Sequence, residues 1–203
     1  MSRDRPPAVP RRILILQGHP DPAEGRFCAA LAAAYARGAT AGGHEIRAID
    51  VASLDFPLLR SKAEWESGEV PPDLRPVQEA IHWAEHLVLI FPLWLGGMPA
   101  LTKGLLEQTL RPGFALTPPD ERGASDKMLS GRSARVVVTM GMPALVYRLY
   151  FRAHSLKALE RNILGFVGIA PIHETLVGSI ESMTDAQRGL WLRKLEALGR
   201  EGD

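Results

Sequence analysis

The chain has 203 residues, one domain's worth with a margin, and its 46% hydrophobic and 23% charged content is ordinary for a globular protein. A net charge of +1 gives no field that would favour nucleic acid or an anionic membrane surface. The single cysteine, Cys28, excludes an intrachain disulfide and fits a reducing cytoplasm, and the longest apolar stretch, residues 87–101, is broken by proline and glycine and is shorter than the ~18 residues a membrane span needs.

Met1 to Arg12 carries four arginines and three prolines with no apolar centre, so residues 1–11 are expected to form a flexible arm and not a signal peptide. One domain is then expected over 12–200. Ile13-Leu-Ile-Leu16 is a continuous apolar run, the pattern of a central parallel strand. The turn-rich segment Gly18 to Cys28 follows, and then an alanine-rich helix to about Arg37. Free N–H groups at the start of that helix suit a phosphate, with Arg26 adding a charge-assisted contact. A plain strand-to-helix loop fits the same residues. His44 to Asp50 alternates polar and apolar, as a strand nearer the sheet edge does.

Residues 51–72 read as irregular, with a short helix over Leu58 to Trp65. A helix is expected over Asp73 to Glu85, with Asp73 as its N-cap. His82-Trp-Ala-Glu-His86 spells H-x-x-E-H, an inverted zinc-protease pattern. Zinc chemistry needs both histidines on one helical face, but this helix stops near Glu85 and His86 opens the next strand. A helix-end histidine meeting the dipole is the preferred reading.

Residues 86–91 form the next apolar run, and Pro99 opens a helix with apolar residues at helical spacing. Between them lies Pro92-Leu-Trp-Leu-Gly-Gly-Met98, at the carboxyl end of the expected parallel strand, where open α/β sheets bind ligands. Gly96 and Gly97 allow close backbone approach, and the amides of Trp94 to Gly97 are candidate donors to a flat heteroaromatic ring. Trp94 as plain core packing is the competing reading. Arg111 to Arg132 reads as a polar surface loop, Ser133 to Thr139 as a buried strand, and Met140-Gly-Met-Pro143 as another carboxyl-end loop. A helix over Leu156 to Leu164, a last strand near 172–178 and a final helix over 185–198, capped by Thr184-Asp185, complete the chain. Five strands separated by helices give an α/β fold with right-handed crossovers.

Phe91-Pro-Leu-Trp-x-x-x-Met-Pro-Ala-x-x-Lys-Gly104 resembles the signature of the NAD(P)H:quinone oxidoreductase family, flavoenzymes on a flavodoxin-like fold. The resemblance implies a five-stranded parallel sheet of order 2-1-3-4-5 with helices on both faces. It implies a bound flavin (FAD, with FMN the alternative), NAD(P)H as electron donor, and a homodimer whose partner completes the pocket. The loop containing Gly18-His-Pro-x-Pro22 and Phe27 is similar to the family's flavin phosphate loop, so His19, Arg26, Phe27 and Cys28 are its expected contacts. Here Glu24-Gly25-Arg26 stands where the family has a shorter loop with Ser or Thr.

Pro92, Leu93, Trp94 and Leu95 are expected under the flavin ring, and Thr139, Met140, Gly141 and Met142 along it, with Met142 replacing a family glycine. Tyr147 and His154 match the family's Tyr and His that line the nicotinamide and quinone pocket, His154 one position late. The implied activity is two-electron reduction of quinones or related electrophiles. A flavin-binding ancillary subunit of a transporter or other partner, and a one-electron carrier, are the alternatives. Carriers of this fold are usually acidic, which this chain is not.

Overall fold

The computed structural model describes residues 9–118 and 124–203. Its elements are β1 (Arg12–Gln17), α1 (Phe27–Ala41), β2 (Glu45–Asp50), α2 (Lys62–Ser67), α3 (Arg75–Trp83), β3 (His86–Pro92), α4 (Ala100–Thr109), β4 (Ser133–Thr139), α5 (Ala144–Leu149), α6 (His154–Ala158), β5 (Ile172–Val177) and α7 (Asp185–Glu201). Every strand pair is parallel and the order is β2-β1-β3-β4-β5, the flavodoxin-like arrangement. The apolar runs explain the placement. β3 and β4 are buried along their whole length, which a strand reaches only when helices cover both faces. β2, with its alternating pattern, is an edge strand.

Alternation divides the strand side chains between two cores. Leu14, Leu16, Leu87, Leu89, Phe91, Val136 and Val138 share one cluster with residues of α3 and α4. Ile13, Ile15, Val88, Ile90 and Val137 share the other with Leu31 and Tyr35 of α1 and Leu195 of α7. The two helices of that second layer approach closely at glycines. A Cβ on Gly38 would stand 1.9 Å from the Glu196 carbonyl oxygen, and one on Gly199 2.1 Å from that of Tyr35.

The amino edge of the sheet is polar on the α1/α7 side. His86 is 1% exposed, and its Nδ1 lies 2.7 Å from Ser133 Oγ. Arg135 donates to Thr175 Oγ1 and to the Asp203 carboxylate, both at 2.8 Å. Burial, with the positive charge of Arg11 beside it, pushes the His86 imidazole down to about 3. As expected, His86 is the first residue of β3, and it shares the face of Val88 and Ile90. His82 is exposed on a different element, α3.

Other boundaries shift for local reasons. The short helix starts at Lys62, because the Ser61 hydroxyl accepts the Glu64 N–H at 3.1 Å and caps it there. Asp73 is not the N-cap of α3; it lies in a 3-10 turn, Pro72–Leu74, and Leu74 precedes the helix without a side-chain cap. Pro99 stands at the N-cap of α4 instead of inside it. α7 carries a capping box between Thr184 and Gln187. Of the expected N-terminal arm, residues 1–8 lie outside the described residues. Arg11 is tied down, its guanidinium donating to the Gly202 carbonyl at 2.7 Å.

Gly38→Ala tests the α1–α7 contact. Alanine raises helix propensity by about 1 kcal/mol, but overpacking against a backbone that cannot step aside costs about 1–3 kcal/mol. A net loss of stability by urea denaturation is expected. A stabilised variant would show that the helices have room to part.

Candidate functional site

A crevice of about 250 Å³ opens at the carboxyl ends of β1, β3, β4 and β5. Strand order reverses there between β1 and β3, so their two following loops diverge and leave a cleft. His19, Gly25, Arg26, Phe27 and Cys28 line it from the first loop and the start of α1, Pro92 and Trp94 from the second loop, and Thr139 from β4.

The first loop is clamped at Gly18. Its N–H donates to the Ile90 carbonyl, and its own carbonyl accepts from the Thr102 hydroxyl, both at 2.7 Å. A Cβ on Gly18 would meet Thr102 at 3.0 Å and Phe91 at 3.2 Å, so glycine is what lets β1 end this close to α4. The His19 N–H bonds the Gln17 side chain, and His19 Nδ1 accepts the Asp21 N–H at 3.1 Å. An accepting Nδ1 belongs to the neutral ring with its proton on Nε2. Burial, then the Arg26 charge, keeps the imidazole below its ordinary pKa and so favours that form. The ring meets Trp94 edge to face, centroids 5.7 Å apart.

Arg26 is paired with Asp21, which holds the guanidinium at the mouth but occupies part of it. The Ala23 amide foremost, and then Arg26, hold the Asp21 carboxyl below its ordinary range. Glu24 is exposed and does not line the crevice.

The second loop makes a tight hairpin. Trp94 and Gly97 exchange two backbone hydrogen bonds of 2.9 Å, around Leu95 (φ 44°) and Gly96 (φ 81°). Two positive φ angles in succession are the signature of a type I′ turn. The expectation that all four amides from Trp94 to Gly97 face a ligand is corrected: Trp94 and Gly97 spend theirs on each other. The Leu93 amide goes to the Thr139 carbonyl at 2.7 Å. Leu95 and Gly96 keep amides without a partner among the described residues. Leu95 is a fully exposed leucine in a conformation that favours glycine, and such strain gathers at functional loops.

Cys28 joins α1 to the end of β4, its sulfur 3.3 Å from Thr139 Oγ1. Burial pushes its thiol up to about 11, so at neutral pH it is a small packing group and not a nucleophile. Met140 is buried and bonds the Val177 carbonyl at 2.9 Å. Met142 packs against the core and accepts the Ser179 N–H at 3.0 Å. Leu93 also packs inward. These three residues, with Leu95 and the exposed Gly141, frame the crevice without lining it.

The fourth wall was not foreseen from the sequence. Ile180 and Glu181 reach the crevice from the loop after β5, and Arg188 from α7. The Ile180 amide bonds the Met140 carbonyl at 3.2 Å. Arg188 donates to the Ile180 carbonyl at 2.7 Å, and its guanidinium lies 5.2 Å from the centre of the Phe27 ring.

Tyr147 and His154 stand apart from this wall. Tyr147 is 2% exposed; its hydroxyl lies 2.8 Å from Ser155 Oγ and accepts the Leu156 N–H at 3.2 Å. His154 is exposed at the start of α6. Between them the chain turns through two non-glycine residues at positive φ, Arg152 (52°) and Ala153 (49°). That turn and α5 present Leu145, Leu149, Tyr150 and Phe151 to solvent, from 46% to 78% exposed.

A family model described as "Flavodoxin-like fold" matches residues 11–197. An uncharacterized NAD(P)H oxidoreductase of Haemophilus influenzae is 28% identical over 143 residues, covering 68% of this chain and 70% of that protein. NAD(P)H dehydrogenase (quinone) 1 of Rattus norvegicus is 28% identical over 162 residues, 75% of this chain and 57% of the rat protein. The chain thus spans little more than half of that relative. The solved structure of the NAD(P)H:quinone oxidoreductase from Methanothermobacter marburgensis superposes with a TM-score of 0.79 at 22% identity, over 96% of this chain and all of that one. That likeness is one of fold.

Proposed function

The chain belongs to the flavodoxin-like fold family, and from that premise we propose that it is an NAD(P)H-dependent flavin oxidoreductase reducing quinones or related electrophiles by two electrons. The oxidoreductase class is supported by the curated relatives, named as an NAD(P)H oxidoreductase and an NAD(P)H dehydrogenase of quinones. The observation that carries the reading to this chain is the crevice, where residues of the two loops stand together at the switch point of the sheet.

The residues present fit a flavin. Trp94, Pro92 and Phe27 supply apolar wall, and the unspent amides of Leu95 and Gly96 supply donors for a heteroaromatic edge. The start of α1, the neutral His19 ring with its Nε2 proton, and Arg188 supply donors for phosphate. Arg188 serves better than Arg26, which Asp21 already engages. FAD is preferred to FMN because the chain is as long as FAD-binding members of the resembling family. When bound, such a flavin supplies the hydride chemistry, accepting from NAD(P)H and passing to the acceptor.

The protein's part is to exclude water with the Trp94 and Phe27 walls and to offer donors where negative charge develops. Tyr147 and His154 belong, in this reading, to the acceptor side. Tyr147 fixes the strained turn at 152–153 through its bonds to Ser155 and Leu156, and His154 offers an exposed imidazole just past it. The apolar face of α5 beside that turn is suited to a second copy of the chain, giving a homodimer with the site at the interface.

Three measurements test this. The purified protein should release a flavin on denaturation, and its NADPH oxidation should depend on menadione. A colourless protein that takes up neither FAD nor FMN sinks the reading. Tyr147→Phe removes two hydrogen bonds of ~1 kcal/mol each and should lower quinone turnover roughly tenfold. Unchanged kinetics would take Tyr147 out of the site. Light scattering should give about twice the 22.2 kDa chain mass, and a monomer at micromolar concentration would end the dimer proposal.

A further inference from the structure

Glu181 is the odd residue of the crevice. Its carboxylate lies flat against Gly141: a Cβ built there would meet Oε1 at 3.1 Å, Cδ at 3.3 Å and Oε2 at 3.6 Å. The side chain thus fills the space that the missing methyl of Gly141 leaves open, inside the cleft between the loop after β4 and the loop after β5. Other polar groups around the cleft are held. Thr139 meets Cys28, His19 is fixed by Asp21 and Trp94, Arg26 by Asp21, and Arg188 by the Ile180 carbonyl and the Phe27 ring. Glu181 has no hydrogen-bond or ion-pair partner among the described residues, and it is exposed. Nothing anchors it where it stands.

The cleft is also small. Its volume of about 250 Å³ falls below the ~300–1,000 Å³ of ordinary ligand pockets. Of the lining side chains, only Glu181 is both long and unrestrained, so it is the one whose departure enlarges the cleft without breaking a bond. Arg188, on the same wall, has used one of its five N–H donors on Ile180 and can receive the carboxylate.

We propose that Glu181 gates the crevice, standing in the seat against Gly141 and swinging toward Arg188 when an aromatic ring system enters. The inference rests on the flavin reading above. A protein whose binding-competent form is only part of the population binds with an affinity reduced by that fraction. Removing the gate therefore tightens binding of any ligand that uses the seat, whatever its tail.

The test is titration of the full chain with riboflavin and with FMN, followed by quenching of flavin fluorescence. Glu181→Ala is expected to tighten both by a similar factor, about three- to tenfold, the gain that follows when the seat is closed in roughly two thirds to nine tenths of the population. Glu181→Gln, equal in bulk and without charge, is expected to stay within about twofold of the wild type. A gain for FMN alone, reproduced by Glu181→Gln, would mean that the carboxylate repels phosphate, and would overturn the gate. Unchanged or weaker binding by Glu181→Ala would overturn it as well. If the wild type binds flavin and the variants match it, only the gate falls. If wild type and variants all fail to bind, the flavin reading falls and the gate with it.

Discussion

The site depends on how closely the end of β1 can be drawn against α4, and Gly18 sets that distance. Its amide is held by β3 and its carbonyl by Thr102, and a Cβ on it would press on Thr102 at 3.0 Å and on Phe91 at 3.2 Å. With this point fixed, His19 falls against Trp94, and the first two loops become walls of one cleft instead of two separate turns. The rest of the first loop organises itself through short-range bonds, Asp21 to His19, Ala23 and Arg26 in turn. The longer loop therefore has its own internal scaffold where the resembling family places a Ser or Thr hydroxyl.

The charges of the cleft nearly cancel: Asp21 and Glu181 against Arg26 and Arg188. One guanidinium is committed to its carboxylate, and the other is bound to a carbonyl and an aromatic face. The cleft therefore carries little net field, in keeping with a chain of net charge +1. After Met142, α5 and the turn that follows it carry the exposed apolar side chains Leu145, Leu149, Tyr150 and Phe151, in contrast to the charged walls of the cleft.

Much of this was readable in the sequence because it is local. Ile13 to Leu16, Leu87 to Phe91 and Val136 to Val138 are unbroken apolar runs, and burial on both faces follows from that pattern. The turn residues after them mark the two loops that meet in the crevice. The wall built by Ile180, Glu181 and Arg188 was not legible, since nothing in an ordinary loop and the first turn of a surface helix announces which tip of the sheet it will cover. The Trp94–Gly97 amides were misjudged because a leucine is a poor advertisement for a type I′ turn. His86 was legible as the opening of β3; that its ring would be buried against Ser133 and the α1/α7 layer was not, because those neighbours are distant in sequence.

That histidine has a consequence far from the crevice. Its ring is neutral in the fold and stays so down to about pH 3, whereas an unfolded chain takes up the proton near the ordinary ~6.5. Between those limits the unfolded state binds more protons at this residue, so the stability it contributes is whole above pH 6.5 and is lost as the medium acidifies toward 3. The buried imidazole thus contributes a part of the stability that acid removes, at the end of the sheet opposite the cleft.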